Sequence, residues 1–189
     1  MATNIKAIII GGSAGSFTVV ATILKELPKE FNIPIIMCLH RLKHVREGFI
    51  EALQIKSNLP IIEPYDKEKI KAGVVYLAPA NYHLLIEYTQ TIGLSTEEMV
   101  NFSRPAIDLT FQTASSVYRS NCVGIILSGA NRDGAKGLKF LKDHGGISII
   151  QKPEECKVDT MPKAAKAITT IDYEFTTHQM IDYLKKINS

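Results

Sequence analysis

The chain has 189 residues, a length that one compact domain fills. Hydrophobic residues make up 46% and charged residues 22%, which excludes disordered and fibrous classes, and a net charge of +3 from scattered basic residues gives no nucleic-acid stripe. The longest apolar runs fall far short of the ~20 residues of a membrane helix and the N-terminus lacks a signal-peptide layout, so a cytoplasmic protein without membrane insertion is expected.

Lys6 to Ile10 is an apolar, β-branched run ending at Gly11-Gly12. Phe17, Val20, Ile23, Leu24 and Leu27 follow at helical spacing, which predicts strand, tight turn, then a helix from Ser16 to Leu27. After Pro28, a second continuous apolar strand is predicted at Ile33 to Leu39 and a helix from about Val45 to Ile55. Continuous rather than alternating strands imply burial on both faces, as in a parallel sheet. Short strands at Pro60 to Glu63, Val74 to Leu77 and Tyr82 to Tyr88, with turns between them, read as an antiparallel or hairpin insertion.

A βα rhythm then returns: helix Pro105 to Arg119, strand Cys122 to Leu127, helix Ala135 to His144 stopped by Gly145-Gly146, strand Ile147 to Gln151, and helices Ala164 to Ile168 and Thr177 to Ile187. The expected fold is α/β over residues 1–189: a doubly wound, mostly parallel sheet with helices on both faces and a small antiparallel hairpin insertion. Ligands of such folds bind beyond the carboxyl ends of the strands.

The three cysteines form no disulfide framework; Cys38 and Cys122 read as reduced core residues and Cys156 as a loop residue. The first strand-end loop, Gly11-Gly12-Ser13-Ala14-Gly15-Ser16, holds GxSxG between strand and helix, the context of a nucleophile elbow. Small residues there permit the sharp turn, and the helix start aims free N–H groups at an oxyanion. Gly12, Ala14 and Gly15 are therefore the turn and oxyanion candidates. An anion-binding loop and a plain turn remain alternatives, although Ser13 and Ser16 stand where GxGxxG needs glycine.

The second loop starts at His40, at a strand end from which a base could reach Ser13. His44 lies four residues on, but Arg41 replaces the glutamate of HExxH and there is no third ligand, so no metal is expected. The third loop offers Asp133, either as an orienter of His40 or as an ordinary turn or N-cap before a helix. The chain order Ser, His, Asp differs from that of α/β-hydrolases.

These residues resemble the catalytic domain of the CheB family, the chemotaxis protein-glutamate methylesterases. The likeness rests on Ile10-Gly11-Gly12-Ser13-Ala14-Gly15-Ser16, the His40 strand end, Val75-Tyr76-Leu77-Ala78-Pro79 with His83, Arg104-Pro105-Ala106-Ile107-Asp108, and Leu127-Ser128-Gly129 through Gly137. It implies a Ser13, His40, Asp133 triad without a cofactor, hydrolysing glutamate methyl esters on the cytoplasmic helices of chemoreceptors, with deamidation of glutamines as a related activity. Members usually carry Ser-Thr-Gly-Gly at the nucleophile, and commonly glutamine where Leu39 stands and methionine where Ala130 stands; Ala14 and Ser16 depart from this pattern, and a side-chain hydroxyl donor is lost at Ala14. Arg104 is expected to contact substrate, Pro105 to open the following helix, and Asp108 to sit in its first turn.

Only twelve residues precede Ser13, so a catalytic domain with no receiver domain, or one regulated by a separate protein, is expected. Asp66, Asp108 and Asp133 are not expected to cluster. Two other functional readings stand: a weak or inactive homologue acting as a receptor or signalling interaction module, and a phosphate or nucleotide binder using Gly11 to Ser16.

Overall fold

A computed structural model describes residues 4–40 and 48–188. In chain order the elements are β1 (Ala7–Gly12), α1 (Ser16–Glu26), β2 (Ile35–Leu39), α2 (Phe49–Gln54), β3 (Ile61–Ile62), β4 (Val75–Leu77), β5 (His83–Ile86), β6 (Ile92–Ser95), α3 (Ile107–Tyr118), β7 (Cys122–Ile126), α4 (Ala135–Asp143), β8 (Ile147–Gln151), α5 (Thr160–Ile168), β9 (Tyr173–Phe175) and α6 (Thr177–Ile187). Seven strands form one sheet in the order β3-β4-β2-β1-β7-β8-β9, every neighbouring pair parallel. β5 and β6 form a separate antiparallel hairpin.

The doubly wound fold is therefore as expected, with corrections in its middle. β3 and β4 belong to the parallel sheet rather than to the insertion, which is β5 with β6 alone. β6 and β9 were not foreseen, and α5 begins at Thr160, ahead of the expected Ala164. Pro105 does not open α3: Ala106 is its N-cap and Ile107 its first residue. The expected start of α2 at Val45, with Arg41 and His44, lies outside the described residues.

Alternation along β1 divides the core. Ile8 and Ile10 join Val20, Ile23 and Leu24 of α1 and Met180, Ile181 and Leu184 of α6. Ala7 and Ile9 face the other way, onto Phe111 of α3, Leu138 and Leu141 of α4, and Met161 of α5. Both faces of the strand are apolar because both are covered, each buried isoleucine contributing ~1.5–3 kcal/mol of transfer free energy. Gly11 lets α3 settle directly on β1, since a Cβ there would lie 2.4 Å from Ile107 Cγ2. That close approach carries the N-terminus of α3 to the carboxyl end of the sheet. The chain winds from β1 toward β2 on one side, while β7 takes the other, so a crevice opens beyond the ends of β1 and β7.

Candidate active site

Ser13 follows β1 directly, and the register places it beside His40: Gly12 pairs with Leu39, and His40 N–H donates to Gly12 O at 3.0 Å. The serine backbone is clamped from both sides. Its N–H donates to Ser128 O at 2.9 Å, and its carbonyl accepts both the Ser16 N–H at 3.0 Å and the Ser16 hydroxyl at 2.7 Å. Ser16 thus braces the turn. Gly15 holds φ 86°, a left-handed conformation that side chains resist, and a Cβ there would also lie 2.5 Å from Lys157 Cβ. The Ser128 hydroxyl donates to Ala14 O at 2.6 Å and accepts Val158 N–H at 3.0 Å. The Ala14 and Gly15 N–H groups, at the start of α1, have no acceptor among the described residues.

His40 and Asp133 meet directly. Nε2 lies 2.8 Å from Asp133 Oδ2, with the His40 side chain 14% exposed and that of Asp133 fully buried. Oδ2 also accepts Ile107 N–H at 2.6 Å, while Oδ1 accepts Asp108 N–H and Gly134 N–H at 3.1 Å each and the Asn101 amide at 2.9 Å. Burial pushes the Asp133 pKa up, but hydrogen bonds from His40, Ile107 N–H, Asn101 and Asp108 N–H outweigh it and hold the carboxyl below the ordinary range. An ionised carboxylate only accepts, so the proton of the neutral ring sits on Nε2. Nδ1, 3.4 Å from Asn131 Nδ2, is left as the basic nitrogen.

Asp133 touches His40, and the reading of it as the N-cap of the helix that follows is corrected. It caps α3 across the site, through the N–H groups of Ile107 and Asp108, rather than forming the side-chain cap of α4, the helix that follows it. The Ser13 hydroxyl donates no hydrogen bond among the described residues, and contacts of this kind often close only with substrate bound.

Arg104 Nη1 donates to Thr96 O at 2.6 Å and Glu97 O at 2.9 Å, so part of its guanidinium holds its own chain segment. Asp108 is buried in the first turn of α3 and accepts Gly137 N–H at 2.7 Å. Burial, with the nearby charge of Asp133, pushes its pKa up against the hydrogen bonds from Gly137 N–H and Asn101. Contrary to expectation, Asp108 and Asp133 are neighbours, because the Asn101 amide bridges them; Asp66 is elsewhere, accepting Leu94 N–H. Asn101, Ser16 and Ser128 were not singled out from sequence.

His83 is buried, accepting Ala106 N–H at 3.2 Å and donating to Glu98 O at 2.9 Å, and His144, the C-cap of α4, bonds Phe140 O. Neither competes with His40. Burial raises the Cys122 thiol, and burial with Asp159, Glu155 and Glu154 pushes Cys156 up to about 11. No cluster of three potential metal ligands occurs among the described residues.

The family model of the CheB methylesterase matches residues 8–184, spanning all of these strand-end loops. The chain belongs to the CheB methylesterase family. A crystal structure of the Thermotoga maritima CheB methylesterase catalytic domain superposes with a TM-score of 0.91 at 31% identity, covering 97% of this chain and 98% of that one. A Leptospira interrogans protein, provisionally named protein-glutamate methylesterase/protein-glutamine glutaminase, is 42% identical over 185 residues, 98% of this chain and 96% of its own. A Clostridium acetobutylicum protein of that name is 31% identical over 184 residues; the chain spans about half of it, 53%. This CheB domain is an ester hydrolase.

Proposed function

We propose that Ser13, His40 and Asp133 form the catalytic triad of a methylesterase acting on glutamate methyl esters of chemoreceptors. The single observation that carries this reading is the buried His40–Asp133 contact, set by strand register beside a serine in a strand-to-helix turn.

In the reaction, His40 Nδ1 takes the Ser13 hydroxyl proton as Oγ attacks the side-chain carbonyl of the ester. The tetrahedral oxyanion lies against the N–H groups of Ala14 and Gly15, whose free donors and helix-start position suit developing negative charge. Methanol leaves with the proton returned by His40. Water, deprotonated by the same nitrogen, then releases glutamate and regenerates Ser13; with glutamine as substrate the leaving group is ammonia. Asp133 stays ionised and stabilises the imidazolium formed in each half.

On this reading the substrates are the cytoplasmic helices of receptors, with a cytoplasmic location for the protein. No helix among the described residues is long and apolar enough to cross a membrane. A fluorophosphonate probe tests the nucleophile: adduct mass on the peptide containing Ser13, lost in His40→Ala, is expected. A folded protein that stays unlabelled would instead favour an interaction module.

A further inference from the structure

Between β6 and α3 the chain makes a tight reversal in which Val100 and Ser103 pair and two consecutive residues, Asn101 (φ 52°) and Phe102 (φ 59°), take the left-handed conformation. Both residues are exposed, Phe102 to 99%, but the Asn101 amide reaches down onto two buried carboxylates. Asn101 Nδ2 lies 2.8 Å from Asp108 Oδ2 and 2.9 Å from Asp133 Oδ1. Carboxylate oxygens accept, so the nitrogen must face both, giving one hydrogen to each.

We propose that Asn101 is a positioning residue for the triad: its amide holds Asp133 and Asp108 apart and in register, keeping Asp133 Oδ2 on His40. The inference rests on the triad reading above. Without the amide, the two buried carboxylates lose the side-chain donor they share; Asp133 Oδ1 keeps the backbone N–H groups of Asp108 and Gly134, and Asp108 Oδ1 that of Gly137, so the pair retains a proton to higher pH. That proton weakens the hold on His40. Among the described residues, the other charged groups around the pair are His40, at Asp133, and Arg132, Lys136, Asp159 and Lys163, which line the cavity that Asn101 and Asp108 border.

Three variants separate this role from a merely conformational one. Asn101→Gly keeps the left-handed backbone accessible but removes the amide, and Asn101→Asp keeps left-handed tolerance but replaces the donor with a third carboxylate. If Asn101 only shaped the turn, both would hydrolyse ester like the parent. The positioning role predicts a kcat lower by roughly ten- to a hundredfold in Asn101→Gly, with little change in KM, and a larger loss in Asn101→Asp. The acid limb of the kcat profile moves to higher pH in both, and adding Asp108→Asn to Asn101→Gly moves it back by relieving the like-charge pair.

Ser13→Ala is assayed beside them on the same methylated receptor fragment. Activity retained by Ser13→Ala overturns the triad reading itself. A dead Ser13→Ala with parental kcat and pH profile in Asn101→Gly and Asn101→Asp overturns the role of Asn101 alone.

Discussion

Asp133→Asn is a severe substitution here because all five groups around the carboxylate present protons: His40 Nε2 and Ile107 N–H at Oδ2, and Asp108 N–H, Gly134 N–H and Asn101 at Oδ1. An asparagine must aim its own NH2 at one of the two sets. Placed at the Oδ1 side it meets three donors, each mismatch costing ~1–3 kcal/mol when buried. Placed at the Oδ2 side it meets only Ile107 N–H and His40, and His40 can relieve its share by moving its proton from Nε2 to Nδ1. The second orientation costs less in stability and removes the base, since Nδ1–H cannot accept the Ser13 proton.

The expected result is a loss of about 2–4 kcal/mol, which for a chain of this size lowers Tm by about 5–15 °C. Turnover falls together with it, by on the order of 10⁴, the loss known for the same substitution in a serine protease. Thermal melts followed by near-UV circular dichroism, with ester hydrolysis measured well below the transition, read both effects on folded protein. A variant melting within about 2 °C of the parent and turning over within about tenfold would refute the arrangement.

The same carboxyl has a depressed pKa, so its stabilising contribution is complete above the ordinary carboxylate range and disappears as pH falls through the lower folded value. The denaturant-measured stability gap between parent and Asp133→Asn should accordingly be constant above about pH 5 and shrink below about pH 4; a gap that widens in acid contradicts the assignment. Gly12→Ala would bring a Cβ to 2.7 Å from Ser16 Cβ, and overpacking of about 1–3 kcal/mol plus a displaced Ser13 should lower Tm and kcat together. Ser128→Ala leaves Val158 N–H and Ala14 O without their hydroxyl partner, so kcat should fall with KM nearly constant, at a stability cost of about 1–3 kcal/mol in chemical denaturation. His40→Ala and Ser13→Ala should each remove several orders of magnitude of turnover, with the double variant scarcely worse, because the members of the proposed triad act as a unit; additive losses in kinetics would separate them.

Much of the site was readable because its parts lie where local pattern is strongest. The continuous apolar runs of β1, β2 and β7 are covered on both faces, and Ser13, His40 and Asp133 follow them at the carboxyl end of the sheet. β3 and β4 were legible as strands but not as members of the sheet, since runs of two and three residues carry no sign of their partners. β6 is interrupted by Gly93, and β9 is a mostly exposed edge of three residues, so neither shows the apolar run that marks a covered strand.

Asp133 as the cap of α3 was hidden for a different reason. The helix starts at Ile107 with Ala106 as an N-cap that has no side-chain acceptor, and the missing acceptor comes from a loop 26 residues later in sequence. Asn101 was less legible still: polar residues in turns are ordinary, and only the two left-handed residues in succession aim its amide at the buried pair. The motif residues announce the chemistry, while the groups that orient them depend on long-range contacts between loops.

The most direct test of the central claim is methanol release from a methylated chemoreceptor cytoplasmic fragment by the purified parent chain and by Ser13→Ala, compared at equal folded concentration. The account predicts steady release by the parent and a rate lower by several orders of magnitude in Ser13→Ala, with unchanged Tm because Ser13 lies at a strand end outside the core. Turnover by Ser13→Ala near the parental rate would contradict it, as would a folded parent that releases no methanol.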